Sequence, residues 1–117
     1  MIFSVSSSLS AIKAYGVKMG VSADNVANAE TDEYKKRRVI FKEGVRNDVQ
    51  VEIEKVDTPG PIVSEANNGQ VTEKELSNVD LTEEIPQAIL TQRGFEVNLK
   101  TLQTLDEMTG TVIDMFE

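Results

Sequence analysis

The chain has 117 residues, enough for one domain with a small core. It contains no Cys and no His, which excludes thiol nucleophiles, disulfides, and thiolate or imidazole metal sites. The net charge of −8 opposes binding to a polyanion. Because of this charge, we expect no nucleic-acid binding. No apolar run approaches the roughly 18 residues that span a membrane, so we expect no membrane insertion.

The first predicted element is a long amphipathic helix from about Ser4 to Asn28. Its apolar and small residues step by four and three, the spacing of a coiled-coil heptad. They are Val5, Leu9, Ile12, Gly16, Met19, Ala23 and Val26. The helix runs into a cluster of small residues and amides, "DNVANA", which predicts a turn after Asn28.

A basic segment, "YKKRR" at Tyr34–Arg38, follows the turn and leads into a β-rich middle. "VQVEIEKV" alternates apolar and polar residues and predicts a strand, for which "RRVIF" is a plausible partner. "TPGP" and "ANNGQV" predict turns. The basic cluster is the strongest candidate for nucleic-acid contact, but lysines and arginines on an edge strand also block unwanted pairing.

The last predicted element is a second long helix beginning near "SNVDLTEE", where Asn78 and Asp80 are both possible N-caps. Pro86 predicts a kink or a later start. The heptad residues are Leu81, Ile85, Ala88, Gln92, Phe95, Leu99, Leu102, Asp106, Thr109, Ile113 and Phe116. A flanking stripe widens this apolar face and calls for more than one neighbour; it comprises Ile89, Leu105, Met108, Val112 and Met115.

No spacing of residues indicates catalysis. The carboxylates Asp80, Glu83 and Glu84 fit a helix N-terminus better than an acid/base or metal site. No phosphate-binding glycine loop is present. We therefore predict that the protein is not an enzyme and needs no cofactor or metal.

These elements predict a mainly α fold with a small β part. The long terminal helices would pair as an antiparallel coiled coil around a short β-rich or irregular middle segment. The predicted boundaries are 1–34 for the first helical half, 35–76 for the middle and 77–117 for the second helical half. The predicted intramolecular seam comprises Val5, Leu9, Ile12, Met19, Val26, Leu81, Ile85, Phe95, Leu99, Leu102 and Ile113.

Both ends of the chain resemble the bacterial flagellar axial proteins, the rod and hook family. Asn25, Val26, Ala27, Asn28, Ala29, Thr31 and Tyr34 match the family's N-terminal pattern NNIANAxTxGYKR. Asp24 and Glu33 depart from it, and Glu33 stands where the family has Gly. "SNVDLTEE" and "QRGFEVNLKTLQTLDEM" are similar to the C-terminal signature, with Pro86 as a departure. Within the family the chain is most like a proximal basal-body rod protein, because larger inserted domains do not fit its length.

The resemblance implies a structural subunit of the periplasm-spanning rod, the drive shaft for motility. Such a subunit would assemble helically with copies of itself and with other rod proteins. It would leave through the flagellar type III export apparatus without a cleaved signal peptide, and a deletion of residues 2–8 would then abolish export but not expression. The residues expected to contact neighbouring subunits are Asn25, Ala27, Asn28, Gln92, Arg93, Glu96 and Asn98.

A different class of function remains open. The same helices could form an adaptor or an export chaperone that binds a single flagellar partner. An axial subunit would polymerise or co-assemble, whereas an adaptor would form one small complex of defined size.

Overall fold

The computed structural model describes residues 2–116, with side chains from residue 4 onward. Its elements in chain order are α1 (Ile2–Ala27), β1 (Arg37–Glu43), β2 (Val49–Lys55), β3 (Ile62–Asn67), β4 (Gln70–Glu75) and α2 (Leu81–Phe116). The strands form two separate antiparallel hairpins, β1–β2 and β3–β4, here called the first and second hairpin. The prediction of a mainly helical fold with a small β part is confirmed.

The first hairpin forms where the alternating pattern predicted it. Val39 pairs with Ile53 and Phe41 with Val51, so the apolar side chains of both strands share one face. That face packs on α1, where the rings of Phe41 and Tyr15 meet edge to face at 5.2 Å. The N–H of Val49 donates to Ser10 Oγ at 3.0 Å, which fixes the far end of the hairpin to the same helix.

The second hairpin follows from the tight turn predicted in "ANNGQV". Asn67 pairs with Gln70, which leaves Asn68 and Gly69 as a two-residue loop. Both loop residues have positive φ, 50° and 81°, as a type I′ turn requires. Asn and Gly are the residues that tolerate this backbone best, so the local sequence determines the turn.

The second helix begins at Leu81, and Asp80 is its N-cap. The N–H of Thr82 donates to Asp80 Oδ1 at 2.9 Å, and the Thr82 hydroxyl donates to the same oxygen. These hydrogen bonds lower the pKa of Asp80, because they favour its charged form. The helix continues past Pro86 without a break in its assignment, so Pro86 does not delay the start.

The buried face of α1 lies between two neighbours, because α1 packs against both α2 and the first hairpin. Five buried residues of the helices each lie one position before a predicted heptad residue; they are Ser8, Ser22, Asn25, Glu84 and Thr91. One residue is about 100° around a helix. The centre of each buried face is thus rotated away from the apolar stripe.

The rotation leaves the predicted seam residues at the margin of the contact. Four are half-buried: Ile12, Met19, Phe95 and Leu102. The others are more exposed: Val5, Leu9, Val26, Leu81, Ile85, Leu99 and Ile113. Among the described side chains, the fully covered apolar residues are Ala14 and Val21, so the chain has a very small core.

The molecule is elongated, measuring 84 × 25 × 15 Å. Because α2 has ten more residues than α1, its C-terminal part extends beyond the helix pair. Every residue from Asp106 to Phe116 is exposed, and we call this stretch the α2 overhang. Over the described residues, neither helix is long and apolar enough to cross a membrane.

Candidate functional site

The site with the highest density of specific contacts is the junction, defined as residues 24–38 together with residues 75–84. Here α1 ends, α2 begins, and both hairpins are attached. It contains the amide-rich turn and the "SNVDL" stretch that the sequence analysis singled out at opposite ends of the chain. Asn25 and Asn78 join those two motifs through their hydrogen bonds to Arg37 and Lys36.

Asn25 acts as a substitute strand partner for the backbone of Arg37. Its Nδ2 donates to the Arg37 carbonyl at 2.7 Å, and its Oδ1 accepts the Arg37 N–H at 3.0 Å. The Tyr34 hydroxyl donates to the same Oδ1 at 3.2 Å. Asn25 is only 1% exposed, and both of its polar side-chain atoms are hydrogen-bonded within the chain.

Asn78 performs the equivalent task from the α2 side. Its Oδ1 accepts the N–H of Lys36 at 2.6 Å, and its Nδ2 donates to the carbonyls of Val56 and Thr58. Asn78 therefore joins the segment before β1 to the segment after β2. Asn25 and Asn78 together hold residues 36 and 37 between the two helices.

The turn after α1 is closed by local hydrogen bonds. Asn28 donates its backbone N–H and its Nδ2 to the Asp24 carbonyl, and Thr31 Oγ1 donates to Asn28 Oδ1 at 3.1 Å. Glu33 has φ of 58°, the left-handed conformation that favours glycine. Glu33 therefore adopts the backbone conformation of the glycine that it replaces. Its N–H donates to the Glu75 carbonyl at 3.1 Å.

The basic run Lys35–Arg38 is a hub of ion pairs. Lys35 pairs with Glu75 of β4, and Lys36 Nζ lies 3.1 Å from Glu83 Oε2 of α2. The last two cations also reach separate elements: Arg37 pairs with Asp24 of α1, and Arg38 with Glu54 of β2. Exposed pairs each contribute little to stability, but together they orient four elements around one segment.

Glu75 ties the base of the second hairpin to the junction. Its carboxylate accepts hydrogen bonds from Lys35 Nζ and from the N–H of Gly60, the latter at 3.0 Å. These bonds, the Lys35 bond first, lower the pKa of Glu75 below its ordinary value of 4.5. On the neighbouring residue, the Asp32 carboxylate raises the pKa of Lys74 through an ion pair of 2.8 Å.

The predicted neighbour-contact residues lie in two separate places. Ala27 is exposed and Asn28 half-buried at the junction, where Asn25 is fully covered within the single chain. The others lie on α2 near Gly94, well along the helix. Gln92, Arg93 and Glu96 are exposed, and Glu96 accepts hydrogen bonds from the other two. The half-buried Asn98 donates to the Gly94 carbonyl.

The sequence did not predict that Asn78 bonds to the backbone on both sides of the first hairpin. Nor did it predict that Glu75 attaches the second hairpin to Lys35 and Gly60. The only available signal was the position of Asn78 beside Asp80, which indicated a cap. In the described part of the chain, no group of three or more Asp or Glu residues is placed to hold a metal ion. The junction has the chemistry of a structural connector, since its polar groups satisfy one another.

Comparison with known proteins shows which protein family this chain resembles. The family described as "Flagellar basal body rod FlgEFG protein C-terminal" matches residues 74–115. The chain is 31% identical to the flagellar hook protein FlgE of Borreliella burgdorferi over an alignment of 135 residues, covering 95% of this chain and 30% of that protein.

Two further relatives match over 41 residues, which is 35% of this chain. The flagellar hook protein FlgE of Treponema pallidum is 49% identical there, over 9% of its length. The flagellar basal-body rod protein FlgG of Bacillus subtilis is 44% identical, over 16% of its length. The chain thus spans less than a third of the length of each of these relatives.

Proposed function

Because the chain belongs to the bacterial flagellar axial protein family, we propose that it is a structural subunit of the flagellar basal-body rod. It assembles helically with copies of itself and with other rod proteins to build the drive shaft for motility. It acts in the periplasm-spanning rod, which it reaches through the type III export apparatus. The relatives include both hook and rod proteins, and the short middle segment between the two terminal motifs supports the rod.

The observation that carries this proposal is the apolar surface that the single subunit leaves uncovered. The seam rotation exposes Leu9 and Val26 on α1, and the α2 overhang exposes Val112 and Phe116. Apolar helix faces left exposed in this way are typical of association sites. An elongated molecule with uncovered helix faces along its length is suited to contacts with several neighbours.

The finer part of the proposal is that α1 and α2 pair as an antiparallel coiled coil. Tyr15 lies against Gly94, and Ser22 and Asn25 share a cleft with Glu84 and Gln87. Contacts therefore descend along α2 as they ascend along α1, which supports an antiparallel arrangement. In the assembled rod, the seam residues at the margin of this contact would be covered by neighbouring subunits.

Assembly of the purified chain tests the proposal. Sedimentation velocity over a range of protein concentrations should show a monomer when dilute and open-ended polymers, or co-assembly with another rod protein, when concentrated. Ile113→Glu places a charge on the apolar stripe of the overhang and should prevent assembly and motility. Thr111→Glu, exposed two residues away, is the matched control and should preserve both.

The alternative function, an adaptor or export chaperone, predicts a different result. It would give one complex of fixed size with a single partner at every concentration. Such a result, with Ile113→Glu still supporting motility, would contradict the rod-subunit proposal.

A further inference from the structure

The second hairpin is attached to the rest of the fold at its base, through Lys74 and Glu75, and projects away from it. Within the described chain, β3 and β4 contact neither helix nor the first hairpin, and every residue from Ile62 to Glu73 is exposed. Ile62 and Val71 are 63% and 70% exposed. A two-stranded hairpin alone is only marginally stable in water, so a further strand paired to this hairpin would stabilise it.

The turn geometry determines which backbone groups of the hairpin are free. Asn67 and Gln70 flank a two-residue loop and therefore exchange hydrogen bonds, as do the pairs two residues further along, Glu65–Thr72 and Val63–Lys74. The intervening residues direct their N–H and C=O groups outward. These are Ile62, Ser64 and Ala66 on β3, and Val71 and Glu73 on β4.

Both outer edges lack the usual protection against pairing. Proteins block edge strands with Lys, Pro, bulges or covering segments. β3 contains no Lys, Arg or Pro, and the only cation of β4 is Lys74, at its base and paired with Asp32. The edges are therefore open to strand addition.

The chain itself supplies a strand of the right chemistry. In the register of the hairpin, Glu73 lies opposite Ser64 and Glu65 opposite Thr72, so each carboxylate faces a hydroxyl and no like charges meet. If β3 of another copy pairs with β4 in this same register, the free N–H and C=O groups of the two strands lie opposite each other. We propose that β3 of one subunit adds antiparallel to β4 of the next, pairing Ser64 with Glu73 and Ala66 with Val71.

This contact is heterologous, because two different edges meet, and it therefore propagates rather than closing a dimer. Adjacent strands rotate by about 20–25°, so successive two-stranded hairpins would turn by about 45°, which separates the bulkier helical parts. The inference rests on the proposed self-assembly and names one of the contacts that assembly uses.

Disulfide crosslinking tests the register, because the natural chain has no cysteine. Ser64→Cys and Glu73→Cys are prepared as separate proteins, mixed under assembly conditions and oxidised. Residues opposite each other in a hydrogen-bonded pair have Cα atoms about 5.5 Å apart, within the range of a disulfide. A crosslinked dimer should accumulate in this mixture, whereas Ser64→Cys mixed with Thr72→Cys should remain at background.

Three outcomes would overturn the proposal. Efficient crosslinking of Ser64→Cys with itself would indicate a two-fold β3–β3 pair. Assembly by sedimentation without any Ser64–Glu73 crosslink would reject this contact while leaving the proposed function intact. Absence of assembly under all conditions would reject both.

Amide hydrogen exchange provides an independent measurement on the natural chain. Strand addition should slow exchange at the outward N–H groups of Ser64, Ala66 and Glu73 on assembly. The inward N–H groups of Val63 and Glu65 should slow less, because they are already bonded within the hairpin. Uniform slowing of both sets would indicate covering of a face rather than pairing of an edge.

Discussion

At the scale of single residues, the junction depends on two asparagines that replace missing backbone partners. Asn25 and Asn78 come from opposite ends of the chain, yet they bond to adjacent residues, Arg37 and Lys36. An asparagine amide offers a donor and an acceptor side by side, as a strand backbone does. The start of β1 is thus held on both sides without belonging to a wider sheet.

Replacing Asn25 should be costly. Asn25→Ala would leave the N–H and C=O of Arg37 without partners, and a buried unsatisfied group costs about 1–3 kcal/mol. We expect the free energy of unfolding, measured by urea denaturation of the dilute monomer, to fall by about 2 kcal/mol. Asn98→Ala, which removes one local bond on α2, should change it by less than about 0.5 kcal/mol. Equal losses in the two variants would contradict the clamp.

Acid should weaken the attachment of the second hairpin through Glu75. Since its pKa is lowered in the folded state, its contribution to stability is present above the ordinary value of 4.5 and is lost as pH falls below it. Thermal unfolding of the natural chain and of Glu75→Gln should therefore differ most near neutral pH and converge under acid. Glu73→Gln, on the same strand but without an ion pair, should show no such convergence.

At the scale of elements, the helix contact depends on a glycine against an aromatic ring. A methyl group on Gly94 would lie 2.5 Å from Cζ of Tyr15, and that ring is itself packed against Phe41. The ring cannot move without disturbing the first hairpin. Gly94 thus has a packing role that outweighs its low helix propensity.

Gly94→Ala and Gly16→Ala should act in opposite directions. Alanine improves helix propensity by about 1 kcal/mol at either position, but overpacking costs about 1–3 kcal/mol. A methyl group on Gly16 meets no atom within 4 Å, so Gly16→Ala should stabilise the monomer, and Gly94→Ala should destabilise it. Urea denaturation measures both, and stabilisation by Gly94→Ala would contradict the observed contact.

At the scale of the whole molecule, stability should be highest at the junction and lowest at the far end of α2. The overhang carries Met108 and Phe116 exposed, Gly110 in its interior and Asp114 in its last turn, where a negative charge opposes the helix dipole. Little holds this stretch helical in a single subunit. Its order would instead come from neighbours.

Hydrogen exchange of the monomer should reveal this gradient. Amides of residues 106–116 should exchange rapidly, those of residues 84–98 slowly, and the former should become protected on assembly. Strong protection of the overhang in a dilute monomer would indicate a preformed helix and would favour the adaptor alternative.

The local sequence determined the elements, because their signals are contained within a few residues. The heptad spacing predicted both helices, the alternation around Val51 the first hairpin, and Asn68–Gly69 the tight turn. Asn78 and Asp80 were both candidate N-caps of α2, and Asp80 is the one that caps it. Each depends on propensity or hydrogen bonding between near neighbours. The family resemblance likewise depended on short motifs at the two ends.

Only the tertiary structure decided what those elements contact. The apolar stripe of α1 does not face α2 directly, because α1 has a second neighbour in the first hairpin and buries the face between the two. The basic run Lys35–Arg38 forms four ion pairs because its acidic partners, which are distant in sequence, come together only in the fold. They are Asp24, Glu54, Glu75 and Glu83. Contacts between residues distant in sequence depend on chain reversal and packing, and no local pattern encodes them.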